Sequence, residues 1–275
     1  MKSFVCVILA TTLLSLVPNL AIADGLFPDK ALEAAVRKYV FEKRNNEEPI
    51  VEADVVNISQ VVSKGSGIKD LTGLEKCRSL ALLDLAGNEI EKIDAIKDLK
   101  NIQSLDLSKN KIKDIAPIAG LTKLQYIELS NNEVSDLSAL SKLENLRSLY
   151  VAHNKVKDLK PVAGLTKMWS LYANNNEISD IAPLAGLGKL DALDLSGNQV
   201  ADVSPLKELK AWKYLFLANN KLTDVKVLIE MAKGDKESNF TPFWKVYLTG
   251  NPLSDDAKTA QLEELKKAAK SVEFK

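Results

Sequence analysis

The sequence contains few of the residues on which metal sites, disulfide frameworks and common catalytic centres depend. Its 275 residues include two cysteines, Cys6 and Cys77, and a single histidine, His153. A fold held by disulfides and a zinc site of cysteine and histidine ligands are therefore excluded. The P-loop, HExxH, paired CxxC and GxSxG patterns are also absent from the sequence. We expect a chain with no cofactor, no metal and no catalytic residue, and therefore a protein that is not an enzyme.

The sequence also lacks an excess of charge of either sign. Its 37 lysine and arginine residues balance 37 aspartate and glutamate residues. A balanced charge provides no long-range attraction to nucleic acid or to an anionic membrane, so neither is predicted as a partner. Hydrophobic residues make up 46% of the chain and charged residues 27%, which is typical of a globular protein rather than a disordered one. Any partner must therefore be recognised by a local surface.

The N-terminal segment has the pattern of a secretory signal peptide. Lys2 is the only charged residue in the first 23, and the apolar run that follows it leads to a small-residue site at Ala21–Ala23. This pattern predicts that residues 1–23 are removed near Ala23 and that the mature chain is secreted or periplasmic. An uncleaved anchor over residues 3–23 is the alternative, because a transmembrane helix needs about 20 apolar residues. No membrane span is predicted in the mature chain.

A repeat with a period of 22 residues runs through most of the chain. Its units follow the pattern L-x-x-L-x-L-x-x-N with apolar residues in the L slots, as in LDALDLSGN from Leu190, and a degenerate first unit starts at Ile58. An insertion within residues 226–242 delays the last unit. The repeated asparagines are Asn88, Asn110, Asn132, Asn154, Asn176, Asn198, Asn220 and, after the insertion, Asn251. The pattern predicts about nine repeats over residues 58–253.

The spacing of the apolar slots predicts a short strand at the start of each repeat. The second and third L slots are two residues apart, so both side chains point to the same side of a strand. One unit cannot bury these side chains alone, but units stacked at about 4.8 Å can cover one another and form a parallel sheet. Each asparagine follows the strand, where its amide can donate to and accept from backbone groups of the turn. We therefore predict that the asparagines form a structural ladder with no role in binding.

The second half of each repeat is typical of a short turn rather than a long helix. In DIAPIAGLTK at residues 114–123, an aspartate precedes a proline, which favours a capped 3₁₀ or single-turn helix on the outer, convex side. Aspartates recur at this position, and their spacing favours capping over a calcium ladder. Cys77 occupies a slot that holds leucine in other repeats, such as Leu99. It is predicted to be a core residue rather than a reactive thiol.

Helical patterns flank the repeats on both sides. Residues 24–57 contain an apolar stripe at helical spacing that begins after Asp29, a candidate N-cap. Residues 254–275 contain a second stripe, which includes Leu262 and Leu265, followed by a short apolar tail. Because a solenoid exposes apolar surface at its ends, both segments are predicted to be caps.

These repeats resemble the 22-residue class of leucine-rich repeats found in bacterial internalins and in a eukaryotic regulatory subunit of a protein phosphatase. The segments LFPDKALEAAVRKYV and GSGIKDLTGLEKCRSL are similar to the internalin cap and its first repeat. The resemblance implies an α/β fold, namely a right-handed leucine-rich repeat solenoid. Its features would be a concave parallel β-sheet, convex 3₁₀ or short helical turns, and helical caps at both ends. The resemblance also implies protein recognition, which internalins direct at host-cell receptors.

The chain departs from wall-anchored internalins after its C-terminal cap. No immunoglobulin-like module follows the repeats, and no LPxTG-type sorting signal lies near the final SVEFK. We therefore expect a free secreted or periplasmic binder. The phosphatase resemblance implies a cytosolic protein, which the predicted signal peptide contradicts.

Outward positions of the predicted strands hold an excess of aromatic residues. The second, third and fifth positions of eight repeats contain eight of the fifteen aromatic residues that follow residue 23. Strand propensity explains part of this excess, and a recognition surface is the other interpretation. The residues predicted to bind a ligand on the concave face are Asp84, Asp106, Tyr126, Glu128, Arg147, Tyr150, Trp169, Tyr172, Asp194, Tyr214, Phe216, Trp244 and Tyr247.

The predicted partner is a protein of unidentified kind, bound by a monomer. Its basic edge would face Asp84, Asp106 and Glu128, and its apolar anchor would face the aromatic residues. A carbohydrate ligand is the alternative, because tyrosine and tryptophan beside aspartate also suit sugars.

Overall fold

The computed structural model describes residues 25–207, 209, 213–238 and 240–274, so the predicted signal peptide of residues 1–23 lies outside the described part. Short parallel strands form one sheet in which each strand pairs with its neighbours in chain order. The strands are β1 Gln60–Val62, β2 Leu82–Asp84, β3 Ser104–Asp106, β4 Tyr126–Glu128, β5 Ser148–Tyr150, β6 Ser170–Tyr172, β7 Ala192–Asp194, β8 Tyr214–Phe216, β9 Lys245–Tyr247 and β10 Ser271–Glu273.

Short helical turns make most of the connections between strands, as the sequence predicts. The 3₁₀ turns are Leu74–Lys76, Asp94–Ile96, Ala116–Gly120, Ser138–Leu140, Lys160–Val162, Ala182–Leu184, Ser204–Leu206 and Thr241–Phe243. The α-helices are α1 Lys30–Arg37, α2 Glu52–Val55, α3 Lys226–Gly234 and α4 Leu262–Ala268, and a π-helix at Ala257–Gln261 leads into α4. Helix α3 lies in the insertion of residues 226–242 and replaces a 3₁₀ turn there.

The sheet pairs residues that stand one repeat apart, so equal slots form continuous rows. Leu83 pairs with Leu105, Leu105 with Ile127 and Ile127 with Leu149, and all four side chains are fully buried. The residues before and after each of them in the strand point away from this core and are only partly buried. One apolar cluster consequently runs from Phe27 in the N-terminal segment through every coil to the C-terminal helices.

The asparagine amides tie each coil to the one before it. The Asn154 Nδ2 donates to the carbonyl oxygens of Leu129, in the preceding repeat, at 2.9 Å and of Val151, in its own repeat, at 3.1 Å. Its Oδ1 accepts from the Val134 N–H at 2.8 Å. The same three bonds recur at the other ladder asparagines, including Asn251 after the insertion. Each amide thus satisfies buried backbone groups that neither the sheet nor a helix pairs.

The residue before each ladder asparagine has a left-handed backbone, which the sequence reasoning did not foresee. Lys109, Asn131, His153, Asn175 and Asn219 have φ between 53° and 59°, and glycines stand at this position in three further repeats. This conformation turns the chain out of the strand and into the core. It favours glycine and asparagine, because a Cβ at positive φ crowds the backbone.

Aspartates cap the convex turns. The Oδ1 of Asp114 accepts from the Ala116 N–H at 2.8 Å, and six further aspartates make the equivalent bond. The prediction of capping is therefore confirmed, and no group of side chains that could hold a metal ion occurs among the described residues. Cys77 is fully buried, and this burial raises the pKa of its thiol to about 12, as expected of a core residue rather than a reactive one.

The contacts that join the N-terminal cap to the first repeat include hydrogen bonds to one carboxylate and one phenol. Asp29 is the N-cap of α1, since its Oδ1 accepts from the Ala31 and Leu32 N–H groups. Its Oδ2 accepts from the Lys69 N–H at 2.7 Å, in the first repeat. The Tyr39 hydroxyl accepts from the Val62 N–H at 3.2 Å, at the outer edge of β1. The edge strand is thereby covered.

The C-terminal segment adds a strand as well as helices. The sequence predicts only a helix and a short apolar tail here, but that tail forms β10, which pairs in parallel with β9 through Val272 and Val246. Buried Gln261 contacts the repeat before the last one, because its Oε1 accepts from the Val225 N–H at 2.9 Å.

The ladder geometry predicts a specific loss of stability for Asn154→Ala. The change removes the acceptor of the buried Val134 N–H and one of the two amide donors to each of the Leu129 and Val151 carbonyl groups, which should lower the free energy of unfolding by about 1–3 kcal/mol. Asn145→Ala is the matched control: this exposed amide bonds to Thr122 and Lys167 at the surface. It should change stability by less than about 0.5 kcal/mol. Urea unfolding of both variants measures the difference, and equal losses would contradict the structural role of the ladder.

Candidate binding face

The concave face is built from the outward positions of the strands. In strands β1 to β9 the middle residue is buried and the two flanking residues are partly buried or exposed. Because the register joins equal positions, the third and fifth repeat positions form two parallel rows across the sheet. Twelve of the thirteen residues predicted to bind a ligand lie outside the buried core and on or beside these rows.

Three tyrosines on consecutive strands form a first group of rings. The centroids of Tyr150 and Tyr172 are 4.9 Å apart and their planes differ by 8°, so the rings are stacked at about one strand spacing. Tyr126 packs on Tyr150 at 5.4 Å in a tilted arrangement. Beside them, Trp169 is 56% exposed, and the Arg147 guanidinium lies 6.0 Å from its ring centroid. We call these four aromatic residues the N-terminal aromatic group.

A second group of rings lies two strands further along the sheet. Phe216 and Tyr247 stack at 4.4 Å with planes that differ by 14°, and Tyr214 lies parallel to Phe216 at 6.2 Å. Tyr214 is 38% exposed, and the Lys245 Nζ lies 5.4 Å from its ring centroid. We call Tyr214, Phe216 and Tyr247 the C-terminal aromatic group.

The acidic residues of the face have a local structural role that the sequence reasoning missed. Each carboxylate accepts from the backbone N–H two residues later: Asp106 from Ser108 at 3.0 Å and Glu128 from Ser130 at 2.7 Å. The signal was in the sequence, since serine stands two residues after Asp106, Glu128 and Asp194. One oxygen of each carboxylate is therefore engaged within the chain, which leaves the other oxygen of Asp106, Glu128 and Asp194 for a ligand.

The acidic residues Asp84, Asp106 and Glu128, which we call the acidic row, differ in how far a nearby positive charge compensates them. Asp84 is paired with the Lys64 Nζ at 2.9 Å. Burial raises the pKa of the Glu128 carboxyl, and the charge of nearby Asp106 adds to that effect against the hydrogen bonds from Ser130. The same environment raises the pKa of the Tyr126 hydroxyl to about 12, mainly through burial and then through Glu128. The N-terminal half of the face is thus negative beside its first aromatic ring.

Asp194 stands between the two aromatic groups. It occupies β7, where it pairs in register with Tyr172 on one side and Phe216 on the other. Burial raises the pKa of its carboxyl against the opposing hydrogen bonds from Ser196, whose N–H lies 2.9 Å from Oδ1. Within the described residues no lysine or arginine forms an ion pair with it.

The prediction for Trp244 was wrong. Trp244 is fully buried and packs edge-on against Phe240 at 5.3 Å, whereas Phe243, which occupies the first L slot of the last repeat, is 56% exposed. The 3₁₀ turn Thr241–Phe243 causes this exchange: the Trp244 N–H closes that turn on the Thr241 carbonyl instead of joining the sheet. The side chain is rotated inward, and Trp244 is removed from the concave face.

The comparisons with known proteins agree with this architecture. The family profile described as Leucine Rich repeats (2 copies) matches residues 100–142, 144–186, 170–208 and 188–230. No curated protein sequence matches the chain. The structure of internalin C2 from Listeria monocytogenes is similar with a TM-score of 0.70 and 27% identity, over 91% of this chain and 95% of that one.

Two further solved structures show the same repeat architecture. The functional domain of InlJ from Listeria monocytogenes has a TM-score of 0.64 and 26% identity, over 84% of this chain and 52% of that chain. The ectodomain of the Arabidopsis thaliana receptor kinase GASSHO1/SCHENGEN3, solved in complex with CASPARIAN STRIP INTEGRITY FACTOR 2, has a TM-score of 0.57 and 25% identity. That match covers 67% of this chain and 23% of the ectodomain.

The fold, the match to the repeat profile and the similar solved structures together define a leucine-rich repeat solenoid. More particularly, its repeats, the helical cap before them and its concave parallel sheet are similar to those of internalins. Proteins of this class generally act as non-enzymatic modules for protein–protein interaction. No helix within the described residues has the length and apolar character that crossing a membrane requires.

The buried charge of Asp194 predicts that Asp194→Asn stabilises the protein at pH 7. A folded pKa above the unfolded value means that stability falls as pH rises between the two values and stays lower at neutral pH. Asparagine keeps an acceptor for the Ser196 N–H and removes the desolvated charge. The melting temperature at pH 7 should therefore rise, and the gain should vanish below the unfolded pKa of aspartate.

Asp202→Asn is a control variant for which the opposite change in melting temperature is expected. Asp202 makes the same bond to a serine two residues later, but on the exposed convex side, and hydrogen bonds from Ser204 lower the pKa of its carboxyl. A lowered pKa stabilises the fold above the unfolded value, so this variant should melt at a slightly lower temperature at pH 7. A lower melting temperature for Asp194→Asn would contradict the analysis.

Proposed function

We propose that this protein binds a protein ligand in the hollow of its solenoid and has no enzymatic activity. The observation that carries the proposal is the pair of aromatic groups on the concave face. Their seven rings lie outside the core, although the core is the usual place for large apolar side chains. Exposed aromatic residues in a preorganised arrangement supply large contact area at little entropic cost, which is typical of binding hot spots.

Trp169 is the strongest candidate for the apolar anchor. Its ring is more than half exposed, and the Arg147 guanidinium beside it adds a polar group of the kind enriched at interfaces. Stacking between neighbouring tyrosines fixes the surface next to it, so little side-chain freedom remains to be lost on binding. Asp84, Asp106 and Glu128 extend the face toward the N-terminal cap and suit a partner with a basic edge.

The proposed site of action is outside the cytoplasm. The signal-peptide pattern of residues 1–23 supports export and cleavage near Ala23. The single cysteine of the described residues is buried, so the surface offers no thiol to an oxidising compartment. Expression in a bacterial host should yield a periplasmic or secreted product, and its intact mass should correspond to a chain that begins at Asp24. An intact mass that retains residues 1–23 would refute cleavage and favour the anchor.

The binding role is tested by Trp169→Ala. Crosslinking capture of proteins from the native extracellular fluid should identify a partner with the wild-type chain, and this variant should weaken the measured affinity by about thirtyfold or more. The melting temperature should change little, because the side chain lies at the surface. Phe41→Ala is the matched control, since this ring is 76% exposed on the N-terminal cap and belongs to neither aromatic group.

The two variants separate the possible results. Affinity that is lost in Trp169→Ala and retained in Phe41→Ala supports the concave face as the binding surface. Equal affinities for wild type and Trp169→Ala would refute it. A glycan array provides the other outcome: saturable binding of a glycan without capture of any protein would replace the protein ligand by a carbohydrate.

A further inference from the structure

Strand β7 carries no aromatic residue, so it leaves a gap between the two aromatic groups of the concave face. We call the space between Tyr172 and Phe216, with Asp194 at its base, the slot. The fifth-position residues Tyr172, Asp194 and Phe216 are in register on three neighbouring strands. Tyr172 stacks on Tyr150, and Phe216 stacks on Tyr247, in both cases on the side away from β7. The second face of each ring is therefore on the side of β7, where Asp194 lies, and Tyr214, parallel to Phe216 at 6.2 Å, borders the same space.

The width of the slot suits one flat group. Two strand spacings separate the backbones of Tyr172 and Phe216, which is about 9.6 Å. A planar group in van der Waals contact with a ring on each side needs about 7 Å between the rings. Because the sheet is concave, side-chain tips lie closer together than the strand axes. The distance between the two rings therefore approaches the roughly 7 Å that a planar group needs. Ala192, on the same strand as Asp194, projects only a methyl group, so β7 itself adds no large side chain to the slot.

The floor of the slot carries an uncompensated negative charge. Asp194 uses one oxygen for the Ser196 N–H and is half-buried between the rings. The basic residues nearby are engaged elsewhere: the Lys213 Nζ pairs with Asp191 at 3.2 Å, and Lys245 lies over Tyr214. The raised pKa of the Asp194 carboxyl has the same origin, since burial is not offset by a cation.

We propose that this slot binds an arginine side chain of the ligand, with its guanidinium stacked between Tyr172 and Phe216 and bonded to the free oxygen of Asp194. The inference rests on the proposed function, because it names the chemistry of the partner at one point of the same face. Each component suits that group: aromatic faces attract a cation, and a carboxylate accepts its N–H donors.

Arginine fits this slot better than lysine does. The guanidinium is planar and weakly hydrated, so it enters a narrow space between rings at little desolvation cost. A lysine ammonium is compact and strongly hydrated, and it cannot fill both ring faces at once. A neutral planar group would stack on the rings but would leave the Asp194 charge uncompensated.

The test uses a small probe, so it does not require the natural partner. Nα-acetyl-arginine methylamide is titrated into the purified full chain while NMR signals of the concave face are followed, and the citrulline analogue serves as a neutral isostere. Saturable binding of the arginine probe is expected, and the citrulline probe should bind about fivefold more weakly or not at all. Asp194→Asn and Phe216→Leu should each weaken arginine binding by about fivefold or more.

Asp202→Asn is the matched control. Asp202 makes the same bond to the backbone N–H of a serine two residues later, but it lies on the exposed convex side, outside the concave face. This variant should change the affinity for the arginine probe by less than about twofold. The melting temperature of Asp194→Asn shows whether that variant is folded.

The results distinguish this inference from the proposed function. No saturable binding of the arginine probe, equal binding of citrulline, or unchanged affinity in Asp194→Asn would each overturn the slot. If the captured partner still loses affinity in Trp169→Ala under those conditions, the protein-binding face stands without it. If the arginine probe binds as expected and no partner is captured, the slot stands and the protein-binding proposal fails.

Discussion

Every feature of this molecule depends on each repeat forming one coil that packs against the next coil. A single coil has too little apolar surface to bury, so its leucines are covered only when neighbours stack on both sides. Stacking leaves the backbone of the turn after the strand inside the protein, where its polar groups cannot reach water. The asparagine amide resolves this conflict by bonding to its own coil and to the preceding one. Backbone hydrogen bonding thereby holds each asparagine at the same place in its coil, also where the insertion lengthens the repeat before Asn251.

The same constraint organises the binding face. Because pairing joins residues one repeat apart, any side chain in the third or fifth position is placed beside its equivalents at the spacing of the strands. That spacing is close to the distance at which aromatic rings stack, so Tyr150 and Tyr172 order each other without further support. The carboxylates of the row are held in a similar way, by the backbone N–H two residues later. A rigid scaffold therefore presents a face whose side chains are ordered before a ligand arrives.

The departures from the repeat pattern show where the local sequence does not determine the structure. Phe243 and Trp244 fill two adjacent slots that the pattern assigns to the core and to the face, and the structure exchanges them. The cause is the preceding 3₁₀ turn, which belongs to the insertion and changes the direction in which the chain enters β9. Likewise, Val272 reads as part of an apolar tail, although β9 offers it an open sheet edge. Both outcomes depend on neighbours that are distant in the sequence or outside the repeat.

The sequence by itself determined the period, the inward slots, the asparagine positions, the capping aspartates and the burial of Cys77. Each of these follows from a residue type at a fixed spacing, because in a repeat the residues that pack against a given side chain are those of the adjacent units. Only the tertiary structure decided the left-handed residue before each asparagine, the division of the aromatic surface into two groups and the isolation of Asp194 between them. These features depend on which side chains meet across strands and on how far each is removed from water, and such distances and burial exist only in the folded chain.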